Sequence, residues 1–261
     1  MKSLAEMGVH AQPKTRQDRC ETHGEFESRC FIGSIWSKCP TCDAERVQRE
    51  QDEAEARERE RRRAEWTARV RMSGIPERFQ ARTLESFVAE TPAQQYALAF
   101  AKSFADNFDQ ARATGRSALF VGKPGTGKTH LAAGIGLQVM REQNRTVLFT
   151  TVMRAIRRVK DSWAKGSEET ESQAVALLAS TDLLILDEVG VQFGSEFERN
   201  ILFDVLNERY EKRRPSILLS NLDTAEVTAY LGERVVDRIR EDGGERIVFG
   251  WDSYRSRIGA A

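Results

Sequence analysis

The sequence predicts an α/β fold: a parallel sheet with helices on both faces, preceded by a small cysteine-bearing module and a charged helix. Three observations lead there. Five short apolar runs read as strands: SALFV (Ser117–Val121), TVLFTT (Thr146–Thr151), LLILD (Leu183–Asp187), SILLSN (Ser216–Asn221) and RIVFG (Arg246–Gly250). They alternate with helical stretches such as Thr129–Gln143 and Glu196–Arg213, the pattern of a sheet with crossover helices. The stretch FVGKPGTGKTHLAA (Phe120–Ala133) joins the first run to a helix through a glycine-rich turn. Composition also shifts twice, which divides the chain into residues 1–43, 44–72 and 73–261.

The whole chain sets bounds. Its 261 residues, 40% of them hydrophobic, allow one sizeable domain and an appendage. Forty Lys and Arg balance forty Asp and Glu, so no global field draws the protein to nucleic acid, and such binding needs a local patch. No apolar run approaches a membrane span, and MKSLAEMGVHAQPKTRQDRC has no signal-peptide core. The expectation is a cytoplasmic protein without membrane partners. Thiols stay reduced there, so the four cysteines point to metal or nothing rather than disulfides.

The cysteines lie in CETHGEFESRCFIGSIWSKCPTC (Cys20–Cys42), which contains C-x2-H and, after a loop, C-x2-C. Each close pair forms one knuckle, and tetrahedral zinc needs two. Cys20, His23, Cys39 and Cys42 are the expected ligands, with Cys30 as an alternate for His23. A block this small lacks a core of its own, so the metal would contribute folding energy directly. Phe26, Phe31 and Trp36 are expected to be exposed aromatic contacts. The next block, AERVQREQDEAEARERERRRAEWTARV (Ala44–Val70), reads as a solvated helix of alternating charge held by weak i,i+4 pairs. Gly74 and Pro76 in SGIPERF end it. Phe100, Phe104 and Phe108 then recur every fourth residue, which predicts one helix face in the core.

The chemistry starts at Gly122-Lys123-Pro124-Gly125-Thr126-Gly127-Lys128-Thr129, a complete P-loop pattern between a strand and a helix. Glycines let backbone N–H groups turn inward toward phosphate oxygens, and the helix N-terminus adds a favourable field. Lys128 is expected to reach the β- and γ-phosphates, and Thr129 to hold Mg²⁺ through its hydroxyl. LLILDE (Leu183–Glu188) ends a buried strand in two carboxylates. Alone, these acids also fit an ordinary loop start. After a P-loop, they read as a Mg²⁺ ligand, Asp187, and a group that polarises the attacking water, Glu188. Asn221 ends another apolar strand, as a γ-phosphate contact or a turn residue. LGERVVDRIR (Leu231–Arg240) carries three arginines and two carboxylates, which suit either surface ion pairing or an arginine against a neighbour's γ-phosphate. In TVMRAIRRVKDSW (Thr151–Trp163), Val152, Ile156, Val159 and Trp163 share one helix face. Arg154, Arg157 and Arg158 gather opposite, with Lys160 on the flank. That basic face is either merely solvated or a contact for single-stranded DNA phosphates.

GKPGTGKTHLAA, LLILDEVGVQ, LLSN, LGERVVDRIR and FGWDSYRSR together resemble the DnaC-type helicase loaders, a branch of the AAA+ ATPases. The resemblance runs from about Ser73 to the C-terminus. It implies a P-loop three-layer sandwich (the ASCE class) with sheet order 5-1-4-3-2 and the sensor strand between the P-loop and LLILDE strands. It also implies Asn221 as first sensor, Arg238 as arginine finger, Arg255 as second-sensor arginine, and single-stranded DNA at the basic helix. Only six residues follow Arg255, so a short or absent lid is expected. A zinc module ahead of such a domain resembles DnaI-type loaders, whose N-terminal domain holds the helicase. The implied function is an ATPase, with Mg²⁺ and Zn²⁺, that loads a DnaB-type hexameric replicative helicase onto single-stranded DNA and self-associates through its ATP site. Two rivals are an IstB-type transposition helper and an ATP-switched adaptor with little hydrolysis.

Overall fold

The computed structural model describes residues 14–32, 35–191 and 196–254, apart from the side chains of 31–32 and 196–198. The chain forms two compact units, Met1–Thr67 and Ala68–Ala261.

In the first unit, β1 (Lys14–Cys20), β2 (Gly24–Ile32) and β3 (Ile35–Trp36) make an antiparallel sheet in that order. The register closes at Cys20 opposite Gly24, so the turn between them holds His23 close to Cys20. The charged helix α1 (Pro40–Met72) begins four residues before the Ala44 read from composition. Proline's fixed φ suits a first helical turn, where its missing N–H costs nothing, so the C-P-T-C turn and the helix start coincide. Along α1, pairs such as Arg57–Glu53, Arg59–Glu55 and Arg62–Glu58 are solvent-exposed, as expected of a solvated helix. Val70 is its buried residue. Phe26 and Trp36 are half-buried rather than exposed, and Arg16 lies over the Trp36 ring at 4.3 Å. Phe31's side chain lies outside the described residues.

The second unit opens with α2 (Pro92–Asp106), started by a reciprocal Thr91–Gln94 cap with proline in its first turn. A separate helix, α3 (Phe108–Thr114), follows. Phe100, Phe104 and Phe108 are all buried, but the helix breaks at Asn107, so Phe108 belongs to α3 and not to one continuous face. Four βα steps and a final strand then build the sheet. They are β4 (Ala118–Gly122), α4 (Lys128–Glu142), β5 (Val147–Thr151), α5 (Val152–Asp161), α6 (Glu171–Ser180), β6 (Leu183–Asp187), α7 (Glu196–Glu211), β7 (Ser216–Ser220), α8 (Thr224–Leu231), α9 (Glu233–Arg240) and β8 (Glu245–Phe249).

All four strand pairings are parallel, in the order β5-β6-β7-β4-β8. Counted from the P-loop strand this is 5-1-4-3-2, as expected, with β7 between β4 and β6. Leu183 to Leu186 and Ile217 to Leu219 are fully enclosed, as central strands covered on both faces must be. On α5, Val152, Ala155, Ile156 and Val159 pack inward. Trp163 does not join them: α5 stops at Asp161, and Trp163 is 49% exposed with its indole N–H donating to Glu171.

One buried cation had no signal in the pattern of apolar residues. Arg209 is 1% exposed, and among the described residues its hydrogen-bond partners are carbonyls and hydroxyls. Its guanidinium donates to the carbonyls of Leu178 (2.8 Å), Thr181 (2.9 Å) and Pro215 (2.6 Å) and to Ser216 Oγ (2.9 Å). It thereby satisfies the C-terminal carbonyls of α6 and ties them to the start of β7.

Candidate nucleotide site and metal centre

Parallel sheets place the ends of successive strands along one edge, and here Gly122–Thr129, Asp187-Glu188 and Asn221 all follow the carboxyl ends of β4, β6 and β7. Gly122 has φ 135°, and a Cβ there would lie 2.3 Å from the Phe249 carbonyl oxygen. Gly127 has φ 97°, and a Cβ would meet the Phe87 ring at 2.6 Å. Only glycine allows the loop to pass at these two points.

Lys128 opens α4 and folds back over the loop, its ammonium donating to the carbonyls of Gly122 (2.5 Å) and Lys123 (2.9 Å). Burial lowers its pKa to about 8, against a smaller raising influence from Asp187. Thr129 Oγ1 donates to Asp187 Oδ2 at 3.1 Å, so the helix start and the end of β6 share one point. Burial raises the Asp187 pKa, partly offset by the Glu188 N–H and the Thr129 hydroxyl. A hard cation at that point would find a hydroxyl and a carboxylate already converged.

Glu188 is exposed and has φ 61°, a left-handed conformation that costs a non-glycine residue about 1–3 kcal/mol. Its neighbours hold it there: Glu188 N–H donates to Asp187 Oδ1 at 2.8 Å, and Val189 N–H donates to Leu219 O at 2.9 Å. Ser220 Oγ also donates to Val189 O at 2.6 Å. Glu188 is thus held, exposed, at the sheet edge next to Asp187. Asn221 is exposed directly after Ser220, whose register partner is Val121 of the P-loop strand. It therefore sits between the loop and the two acids.

In the first unit, Cys20 Sγ, His23 Nδ1, Cys39 Sγ and Cys42 Sγ lie within 4.8 Å of one another, so the group could hold a metal ion. The closest approaches are 3.4 Å for Cys20–Cys42 and 3.3 Å for His23–Cys42. Edges of this size match a tetrahedral centre with ligand bonds of about 2.0–2.3 Å. Cys30 is buried outside the group, which favours His23 over Cys30 as the fourth member. The backbone N–H groups of His23 and then Thr22 lower the Cys20 thiol to about 6, and that of Cys42 lowers Cys39. Cys42 goes up to about 12, first through its side-chain hydrogen bond with Cys20 and then through burial. A divalent ion among the sulfurs would favour their thiolate forms. His23 Nε2–H donates to Glu45 Oε1 at 3.0 Å, which leaves Nδ1 as the lone pair facing the sulfurs. Glu45, one turn into α1, carries no motif signal in the sequence.

The family described as "IstB-like ATP binding protein" matches residues 46–258. A replicative helicase loader, DnaC of Escherichia coli (strain K12), is 38% identical over 186 residues, 71% of this chain and 74% of that protein. The chain belongs to the IstB-like ATP-binding proteins. A DnaC helicase loader crystal structure superposes with TM-score 0.59 at 25% identity, over 66% of this chain and 99% of that one. DnaI shares the fold at TM-score 0.56 and 20% identity, over 67% and 94%. The four clustered metal-binding candidates precede the matched residues of the family, so their grouping stands on geometry alone. Among the described residues, no helix is long and apolar enough to cross a membrane.

The fold also locates Arg238 and the arginines of α5. Arg238 lies on α9, half-buried, with its guanidinium donating to Asn207 Oδ1 and stacked 4.5 Å over the Tyr210 ring. It shares a small cavity with Gly115, Ser117 and Ser216, at the amino ends of β4 and β7. A five-residue strand spans about 16 Å, so Arg238 is not at its own chain's P-loop. Arg154, Arg157 and Arg158 line a cavity of about 480 Å³ beside β5. Arg158 pairs with Glu169 at 2.7 Å on the surface. Lys160 is exposed. Arg255 lies outside the described residues.

Proposed function

We propose that this protein is an ATPase that loads a hexameric replicative helicase onto single-stranded DNA. Its domains would be a zinc module, residues 1–43; a linker, 44–72; and an ATPase domain, 73–261. The observation that carries the reading is the convergence of Lys128, Thr129, Asp187 and Glu188 at one sheet edge, in a chain 38% identical to a named loader.

The backbone N–H groups of Gly122–Thr129 would cradle the phosphates, and Lys128 would leave its carbonyl partners for the β- and γ-oxygens. A magnesium ion held by Thr129 and Asp187 would offset charge on the phosphate chain. Glu188, aimed outward by its strained backbone, orients and polarises the attacking water. Asn221 reaches the same water or the γ-phosphate. Arg238 faces away from its own P-loop, which suits a finger presented to the next protomer. Cys20, His23, Cys39 and Cys42 would hold zinc, and the module so folded would dock on the helicase. Arg154, Arg157, Arg158 and Lys160 would contact single-stranded DNA. Cytoplasmic location follows from the reading.

The test is co-purification with candidate replicative helicases, using chains with and without residues before Ser73, alongside ATP turnover with and without single-stranded DNA. Capture that needs the N-terminal residues, and DNA-stimulated turnover lost in Glu188→Gln and Arg238→Ala, support the reading. Capture of a transposase and no helicase would instead establish the transposition helper. Equal turnover in wild type and Glu188→Gln would establish the adaptor.

A further inference from the structure

The P-loop is held from outside by the segment that follows β8. Trp251 Nε1–H donates to the Thr126 carbonyl at 2.9 Å, and Tyr254 N–H donates to the Gly125 carbonyl at 2.9 Å. In a trans peptide the carbonyl and the next residue's N–H point in opposite directions. A carbonyl of Gly125 drawn outward therefore turns the Thr126 N–H inward, and a carbonyl of Thr126 drawn outward does the same for the Gly127 N–H. Concave phosphate sites are built from successive inward N–H groups, and their outward carbonyls need partners. Inside the loop, Thr126 Oγ1 supplies one more by donating to Lys123 O at 2.8 Å.

The strap has a fixed anchor. Trp251 packs on Phe249 with ring centroids 4.9 Å apart, and Phe249 is fully buried against Phe120 at 5.2 Å. Phe249 also pairs in register with Gly122, the first loop glycine. The indole is thus held at a set distance from the loop it bonds.

We propose that Trp251 and the Tyr254 backbone are positioning groups that orient the Thr126 and Gly127 N–H groups toward a nucleotide's phosphates. The inference rests on the nucleotide reading of Gly122–Thr129. Trp251→Phe keeps the ring on Phe249 and removes only the donor. Tyr254→Pro removes the other donor at a half-exposed side chain. Each change, made in the full chain, is expected to weaken ATP binding about five- to tenfold by calorimetric titration, the worth of about one hydrogen bond. Turnover at saturating ATP and melting temperature without nucleotide are expected to stay near wild type. A defect of packing alone would instead lower melting temperature and maximal turnover at unchanged affinity, and that result overturns the proposal. So does wild-type affinity in Trp251→Phe. Lys128→Ala is the control: if it binds ATP as wild type does, the nucleotide reading itself is wrong. If it loses ATP while Trp251→Phe does not, only the strap falls.

Discussion

Among the described residues up to Thr67, the buried apolar side chains are Cys30 and Cys39. After Ala68 they include whole strands, with Leu183, Leu184, Ile185, Ile217, Leu218 and Leu219 at full enclosure. The described residues of the first unit thus bury almost no apolar area to set against chain entropy, and its four clustered metal-binding candidates are a group that could hold it. The second has a continuous core and uses its polar groups at the sheet edge instead. If those candidates take an ion, one chain joins a metal-held fold to a core-held one, and the two should respond to different insults.

The sharpest way to break this contrast is to remove metal. Zinc-loaded full-length protein treated with a strong chelator is expected to lose the β1–β2–β3 resonances entirely, while the thermal transition of the second unit stays in place. Retention of the hairpin resonances after metal is shown to be gone would end the claim that the ion folds the first unit.

The converse insult is Arg209→Met. It leaves the carbonyls of Leu178, Thr181 and Pro215 without partners inside the second unit. The expected cost is about 3–5 kcal/mol, a fall of roughly 10 °C in melting temperature, with zinc stoichiometry unchanged. A loss under about 1 kcal/mol would show that water replaces the guanidinium.

These two predictions differ in how far the sequence discloses them. The C-x2-H and C-x2-C spacing names a ligand set, because ligands of one ion must sit on tight turns. Sheet order also follows from the strand runs together with the family resemblance, since enclosed strands are continuous apolar runs, as Leu183–Leu186 of β6 and Ile217–Leu219 of β7 are. What sequence leaves out is polar and long-range. Arg209 looks like any helix-surface arginine until the fold brings α6 and β7 around it. Glu188's left-handed backbone has no residue-type signature. Trp251 reaches Thr126 across 125 positions, a pairing no local period contains. Helix ends were legible only partly: Asp106-Asn107 interrupts the Phe100–Phe108 spacing, and Ser162 ends α5 before Trp163. Both carry side chains that compete for backbone hydrogen bonds.

The first unit can be sharpened by a smaller change at Glu45. Its carboxylate accepts from His23 Nε2 at 3.0 Å and so fixes which ring nitrogen faces the sulfurs. Glu45→Gln keeps an acceptor but removes the charge, and is expected to weaken zinc about tenfold in competition with a metallochromic chelator. Unchanged affinity would mean that the ring is oriented by the turn alone.

The smallest expected effect belongs to the second unit and is one of pH. Burial holds the free Lys128 ammonium at a pKa of about 8, below the ordinary lysine value of 10.5. The unfolded chain therefore binds more protons than the native one between those values, so the nucleotide-free unit gains stability as pH rises through that window, and the full penalty remains below it. Phosphate oxygens beside the ammonium act oppositely: they raise its pKa, so ATP affinity should be flat below about pH 8 and fall by at most about tenfold per unit above it. The two slopes have opposite signs and arise from one group. Lys128→Met should abolish both. Equal pH slopes in wild type and Lys128→Met would assign the effect elsewhere and leave the lysine's burial without functional consequence.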